Sequence, residues 1–247
     1  MLIKTKEQLD GIKECGKINT AVLDEVAERI AVGMSTEEIN LLVDEATRRF
    51  GGIPAPLHYE GFPKSVCTSI NDQVCHGIPS PDVFLQDGDI INVDVTTIYN
   101  GYYADASRMF LMGKVSEERR RLVETAKESI TVGLNEVRPD KRLGDMGHAI
   151  NAFARSKGYT VVAEVGGHGV GVKFHEEPFV SYVTKRGTGE YLKPGMVFTI
   201  EPMINMGKRH VVLDQNDWTI WTRDGSDSAQ WEVTVAVTKD GYELLAW

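Results

Sequence analysis

Disulfide chemistry has little to work with in this chain of 247 residues: its three cysteines, Cys15, Cys67 and Cys75, cannot all pair, and none stands in a C-x-x-C spacing. A disulfide framework or a zinc ribbon is therefore not expected, and a reducing compartment suits the composition. Positive charge is also scarce. With 27 Lys and Arg against 36 Asp and Glu, the formal net charge is −9, which argues against a broad nucleic-acid footprint, because phosphate binding needs a basic face that displaces counterions. Long uncharged apolar runs are absent, and Met1-Leu2-Ile3-Lys4 passes at once into polar, helix-forming sequence. Neither a membrane span nor a signal peptide is expected, and the cytoplasm is the expected address. Linker-like Pro/Ser-rich sequence is missing as well, so nothing argues for cutting residues 1–247 into separate domains.

What is present is periodic and duplicated. Thr5 with Gln8 reads as a capping box ahead of Leu9, Ile12, Asn19, Val22, Val26 and Ile30, and Ser35 with Glu38 repeats it ahead of Ile39, Leu42, Val43 and Ala46. A second helical pair is predicted over Glu117–Leu134 and Leu143–Lys157. After each pair the period falls to two, giving strand-like runs at Ile90–Val95, Val161–Val165, Met196–Ile200 and Glu232–Val237. The segment Leu85–Asp94 aligns with Leu192–Glu201 as a turn glycine, an apolar strand and a terminal carboxylate, an offset of 107 that also relates Gly51 to Gly158. The expectation is an α+β fold made of two pseudo-symmetric halves, roughly 1–111 and 112–247, and a single compact unit makes a monomer the default.

A duplicated strand ending in an acid places two carboxylates near a pseudo-twofold axis. Asn100-Gly101 is a strong two-residue turn signal between Ile90–Tyr99 and Tyr102–Phe110. If that turn sets the register, Asp105 lies opposite Thr96 and diagonally across from Asp94, with backbones about 7–8 Å apart, near enough for both carboxylates to reach ions held between them. Ile91, Val93 and Val95 then face the core. An exposed polar face is the ordinary explanation for strand aspartates, but Asp is a poor strand former and Asp94 ends a run too apolar for a solvated edge. Glu232 opens another alternating run, Glu232-Val233-Thr234-Val235-Ala236-Val237.

Histidine supplies the remaining ligand type. His168 sits in Gly166-Gly167-His168-Gly169-Val170-Gly171, where glycines allow close approach of backbone and substrate. That run lacks the Lys-Ser/Thr ending of a phosphate loop. His175-Glu176-Glu177-Pro178 is not the H-E-x-x-H zinc signature, and His76 precedes a proline in the first half as His175 does in the second. His58, His148 and His210 read as packing or surface residues. Four carboxylates and one imidazole make an oxygen-rich ligand set suited to two divalent ions such as Co, Mn, Fe or Zn. A pair of such ions sharing a hydroxide is a hydrolytic arrangement.

With these motifs in hand, the chain resembles the type I methionine aminopeptidases, metallopeptidases of the pita-bread fold, in which a curved, mainly antiparallel sheet is covered by two pairs of helices. The resemblance spans essentially the whole chain and rests on the Asp94 strand with Asp105, on Gly167-His168-Gly169 followed by Phe174-His175-Glu176-Glu177-Pro178, on Glu201-Pro202, and on Ser228-Ala229-Gln230 leading to Glu232. It implies that Asp94 chelates one ion, His168 and Glu201 bind the other, and Asp105 and Glu232 bridge them. It further implies that Glu201 activates a metal-bridging water as general base, and that His76 and His175 contact the substrate amide and the tetrahedral intermediate. Tyr59, Phe62, Cys67, Phe174 and Trp218 occupy the positions of the methionine pocket, although plain core packing explains the same residue types. The implied substrates are nascent polypeptides and peptides with a small second residue; ribosome docking is left open, and no nucleic-acid or membrane partner is expected.

Departures from the family pattern are Pro56 in place of a frequent cysteine, Phe62 in place of a common tyrosine, and Val233 in place of a histidine. Alternation turns Val233 away from the ligand face. The rival readings are an X-Pro aminopeptidase or prolidase of the same fold, which usually adds an amino-terminal domain, a metal-free amidinohydrolase, and a non-catalytic binding module with decayed ligands. The intact ligand set argues against the last two.

Overall fold

The computed structural model of the chain describes residues 2–247, and its helices begin where the capping residues predict. The hydroxyl of Thr5 accepts from the Gln8 amide at 3.2 Å while the Gln8 side chain accepts from the Thr5 amide at 2.9 Å, opening helix α1 over Lys6–Arg29. Ser35 and Glu38 repeat the box at 3.2 and 2.7 Å and open α2 over Thr36–Arg49. Each box satisfies amide groups that a helix start leaves unpaired. In the second half, α3 spans Glu117–Leu134 and α4 spans Leu143–Ser156. The limits of α2 and α4 differ by the same offset of 107 read from the sequence. Among the described residues no helix is long and apolar enough to cross a membrane.

The Asn100-Gly101 turn fixes the central hairpin. Both residues have positive φ, 50° and 82°, as a tight hairpin turn requires. The strands Ile90–Tyr99 and Tyr102–Leu111 then pair in the expected register, with Thr96 opposite Asp105 and Asp94 opposite Ser107. On its other edge Ile90–Tyr99 takes Cys67–Ile70 and the short Ile53–Pro54, all antiparallel. The second half is organised likewise: Val197–Ile200, which starts 107 residues after Ile90, lies in a five-stranded antiparallel sheet. Its order is Tyr242–Ala246, Val233–Val237, Val197–Ile200, Gly167–Gly169, Glu176–Val180. Small sheets around Met203–Asn205 and Ile220–Thr222 flank the cleft.

Each half buries its own core. One cluster gathers Val22, Val26, Leu42, Val43, Ile91, Val93 and Val95 under α1 and α2, the other Leu122, Ile130, Met146, Ile150, Phe198, Ile200 and Val235 under α3 and α4. Val233 belongs to the second cluster, turned from the cleft as alternation predicts. The halves are stitched where Ser107 meets Glu232, through reciprocal amide–carbonyl hydrogen bonds of 3.3 and 3.1 Å. Beside that bridge the Asp105 amide donates to the Thr234 hydroxyl at 3.1 Å, and that hydroxyl donates to the Asp105 carbonyl at 2.7 Å.

Helix α1 belongs to both halves. Its Asn19 amide donates to the carbonyls of Val95 (2.5 Å) and Ala104 (3.1 Å), while Gly16 passes so close to the Tyr242–Ala246 strand that a Cβ there would stand 1.8 Å from the Leu245 carbonyl oxygen. Backbone cannot yield as a flexible side chain would. Gly16→Ala is therefore expected to push α1 off that strand and to lower the free energy of unfolding by about 1–3 kcal/mol, the cost of an overpacked interior. Urea denaturation of the variant beside the parent measures it, and equal midpoints would refute the close approach.

One predicted strand is corrected. Of the apolar run Val161–Val165, only Val161 is in a strand, Thr160–Val161, which pairs with Met203–Asn205. Val162 adds one more backbone hydrogen bond, its amide donating to the Met203 carbonyl at 3.0 Å, and packs in a small cluster with Val74, Cys75 and Met203. An apolar run reports burial, and beyond this point tertiary packing supplies that burial without a ladder.

Candidate active site

The cleft between the two stitched sheets is a cavity of about 360 Å³. All twelve residues singled out from the sequence line it: Asp94, Asp105, His168, Glu201 and Glu232 among the acid and imidazole groups, with His76, His175, Tyr59, Phe62, Cys67, Phe174 and Trp218 around them. His58, His148 and His210 are exposed and outside it.

Strand alternation delivers the carboxylates. Asp94 comes from Ile90–Tyr99 and Asp105 from its hairpin partner, where Asp105 Oδ1 accepts from the Thr96 hydroxyl at 2.8 Å. Glu232 comes in on the bridge to Ser107, and Glu201 follows Val197–Ile200 directly. His168 stands in the middle of the three-residue strand Gly167–Gly169. The glycines serve the sheet more than a substrate: a Cβ on Gly167 would stand 2.6 Å from the Thr199 carbonyl oxygen, and one on Gly169 2.6 Å from that of Glu177. His168 Nδ1 lies 3.0 Å from the Gly169 carbonyl. A carbonyl can only accept, so Nδ1 carries hydrogen and Nε2 is turned into the cleft. From there Nε2 is 3.6 Å from both Asp105 Oδ2 and Glu201 Oε1.

Three residues without a role assigned from the sequence organise Glu201. The Thr199 hydroxyl accepts the His168 amide at 3.0 Å and donates to Glu201 Oε1 at 2.6 Å, tying one ligand to the other. Gln230 Nε2 donates to Glu201 Oε2 at 3.2 Å, and the buried Tyr182 hydroxyl accepts the Glu201 amide at 2.7 Å. Alternation holds the signal for two of them: Thr199 and Gln230 each stand two residues before an acid, on its face of the chain. Tyr182 had no such local sign.

Charge is crowded here. Burial first, then the charges of Asp105 and Glu201, push the Asp94 carboxyl well above the usual carboxylate range. Burial followed by Asp105, Glu201 and Asp94 does the same to Glu232. Glu201 is raised to about 7, chiefly by burial, although the positive charge of His168 works against the shift. Burial would lower His168, but the Asp105 carboxylate 3.6 Å away and the charge of Glu201 outweigh that and carry it to about 9. His175, stacked on Phe174 at 4.3 Å and 10° between planes, falls to about 4 through partial burial and the neighbouring His168 cation.

A cation is what such a cluster needs. Asp94 Oδ1 and Glu232 Oε1 are buried and have no hydrogen-bond partner among the described residues, an expensive state for a carboxylate oxygen. Ligand atoms of Asp105, His168 and Glu232 all lie within 4.8 Å of one another. Oxygen donors with one imidazole fit a hard or borderline divalent metal.

The aromatic residues form the opposite wall. Phe62 and Trp218 meet edge to face at 5.1 Å, and the rings of Tyr59 and Phe174 lie 4.6 Å apart, tilted by 53°. The Tyr59 hydroxyl is 3.0 Å from His175 Nδ1. Cys67, the strand partner of Asp94, also lines the cavity, its thiol raised well above its usual range by burial and the Asp94 charge.

Comparison with known proteins agrees with this geometry. The sequence model of metallopeptidase family M24 matches residues 10–239. Methionine aminopeptidase A of Synechocystis sp. is 45% identical over 241 residues, covering 98% of this chain and 95% of its own. The crystal structure of methionine aminopeptidase from Rickettsia prowazekii superposes with a TM-score of 0.98 at 42% identity, with both chains fully covered. A prolidase from Pyrococcus furiosus, 23% identical, shares the fold alone: its TM-score is 0.79, and 99% of this chain covers 65% of that one. The α+β architecture is thus the pita-bread fold, with a helix pair on each half. The full-length match at high identity favours the aminopeptidases over the X-Pro enzymes. The chain belongs to metallopeptidase family M24 and, within it, to the type I methionine aminopeptidases.

Proposed function

We propose that this chain, acting as one catalytic unit built from the halves 1–111 and 112–247, hydrolyses the first peptide bond of polypeptides that begin with methionine and continue with a small residue. The observation that carries the reading is the convergence of four carboxylates and His168 beneath an aromatic wall, with buried oxygens of Asp94 and Glu232 left unpartnered. Asp94, Asp105, His168, Glu201 and Glu232 would hold two divalent ions. When bound, such a pair lowers the pKa of water and polarises the scissile carbonyl.

The protein's own groups do the rest. Glu201, steadied by Thr199 and Gln230, takes a proton from the attacking water as its oxygen bonds to the carbonyl carbon. It returns that proton to the leaving amine as the C–N bond breaks. His175, neutral near pH 7 and held through Nδ1 by Tyr59, donates from Nε2 to the developing oxyanion. His76, set at the cavity edge by a positive φ of 56°, binds the substrate amide. Tyr59, Phe62, Cys67, Phe174 and Trp218 enclose the methionine side chain, whose thioether suits aromatic contacts.

Met-Ala-Ser is expected to be cleaved with Mn or Co in the assay and Met-Lys-Ser at least about a hundredfold more slowly, since a long second side chain meets the ligand wall. Free methionine measured by chromatography, with metal content determined alongside, checks this. Equal rates, or a preference for X-Pro peptides, would overturn the substrate assignment.

A further inference from the structure

Among the described residues Lys4 is the one lysine or arginine that is buried, and its side chain is 0% exposed. Its ammonium is paired with the Glu176 carboxylate, which is itself 9% exposed. The same carboxylate closes a turn. Glu176 Oε1 accepts from the amides of Val172 (2.7 Å) and Lys173 (3.0 Å), while Oε2 takes the lysine. Burial would raise the Glu176 carboxyl, but Lys4 and the two amides hold it below its usual range, so it stays ionised. Between these anchors the turn presents Phe174 and His175 to the cavity.

Lys4 is fixed from its own side as well. Its amide donates to the Gly195 carbonyl at 2.8 Å, and Ile3 bridges to Met196, immediately before the strand that leads to Glu201. Gly171, at the start of the turn, leaves no room for a side chain: a Cβ there would stand 2.3 Å from Ile12 Cδ1 on α1 and 3.4 Å from Lys4 Cε. The amino-terminal segment is therefore a strap, joined at one point to the Glu201 strand and at another to the His175 turn. A buried ion pair adds little stability over a hydrophobic pair of the same size, yet leaving one partner alone is costly. What it supplies here is geometry.

We propose that Lys4 is a positioning residue that, through Glu176, holds the 171–176 turn so that His175 stands at the scissile bond. The inference rests on the reading of His175 given above. Lys4→Met keeps the volume and removes the charge. In the metal-loaded full chain it is expected to lower kcat for Met-Ala-Ser by about tenfold to a hundredfold, with KM changed less than about threefold, because misplacing a group by an ångström slows the step it assists more than it weakens binding. Metal affinity by calorimetry stays at the parent value. Amide deuterium exchange in 171–176 accelerates by at least about tenfold, while 90–105 and 228–237 keep their protection. Lys6→Met, at an exposed lysine near the same end, changes neither measurement.

Should Lys4→Met fail to fold, Glu176→Gln is read by the same two measurements, with the same expected direction. Unchanged exchange across 171–176, kcat at the parent value, or a loss of kcat that follows lost metal affinity overturns the proposal. Failure of the parent chain to release methionine, or full activity in His175→Ala, would instead refute the reading of the site. The exchange comparison still decides whether Lys4 holds the turn.

Discussion

Glu201→Gln is expected to lower kcat for Met-Ala-Ser by about 10³-fold or more at saturating metal, since general base assistance alone is worth up to about 10⁴-fold. Glutamine has the shape of glutamate and its carbonyl can still accept from Thr199, so the fold survives, although its amide meets Gln230 Nε2 with a donor where the carboxylate offered an acceptor. What disappears is the group that takes the proton. In the metal-free fold burial lifts Glu201 to about 7 while the nearby His168 restrains the rise; bound cations would draw it down again and leave the carboxylate ready to accept a proton. Methionine release measured beside calorimetric metal binding separates the effects. A variant that binds metal and keeps more than about a tenth of the parent kcat would remove Glu201 from the role of base.

Stripping the metal is expected to abolish turnover and to change how stability responds to pH. In the metal-free fold, Asp94 and Glu232 titrate well above their ordinary values, and Glu201 near 7 against 4.5 in an unperturbed chain. These groups hold protons that the unfolded chain has released, so their contribution to stability falls as pH rises, for Glu201 through about 7. His168 acts in the same direction. Raised from 6.5 to about 9, it contributes fully below 6.5 and loses that contribution as pH rises through about 9.

Bound divalent ions reverse the balance. Binding expels the protons, so affinity grows with pH, and at a free concentration about a hundredfold above Kd one ion adds about 2.7 kcal/mol. The gap in Tm between loaded and metal-free protein should therefore widen from about pH 5 to about pH 8. Parallel curves in calorimetric scans would show that these carboxylates are not crowded around a common cation.

Much of this was legible in the chain alone. Capping residues set the starts of α1 and α2, the Asn100-Gly101 turn fixed the pairing of Thr96 with Asp105, and alternation put Asp94 and Asp105 on one face with Ile91, Val93 and Val95 on the other. The offset of 107 foretold the matching limits of α2 and α4. Each signal is local or repeats a local pattern, which is why a linear text can hold it.

Contacts between distant segments left no such mark. Nothing periodic states that Ser107 would bridge Glu232, that Thr199 would join His168 to Glu201, that Val162 would pack with Val74, Cys75 and Met203, or that Lys4 would reach Glu176 across 172 positions. Which side chains share a face, and that two similar halves exist, was written in the order of residues. How those halves close on one another was settled by folding in space. That choice comes from packing and from the cost of leaving buried charge unpaired, and both depend on neighbours in space rather than on neighbours in the chain.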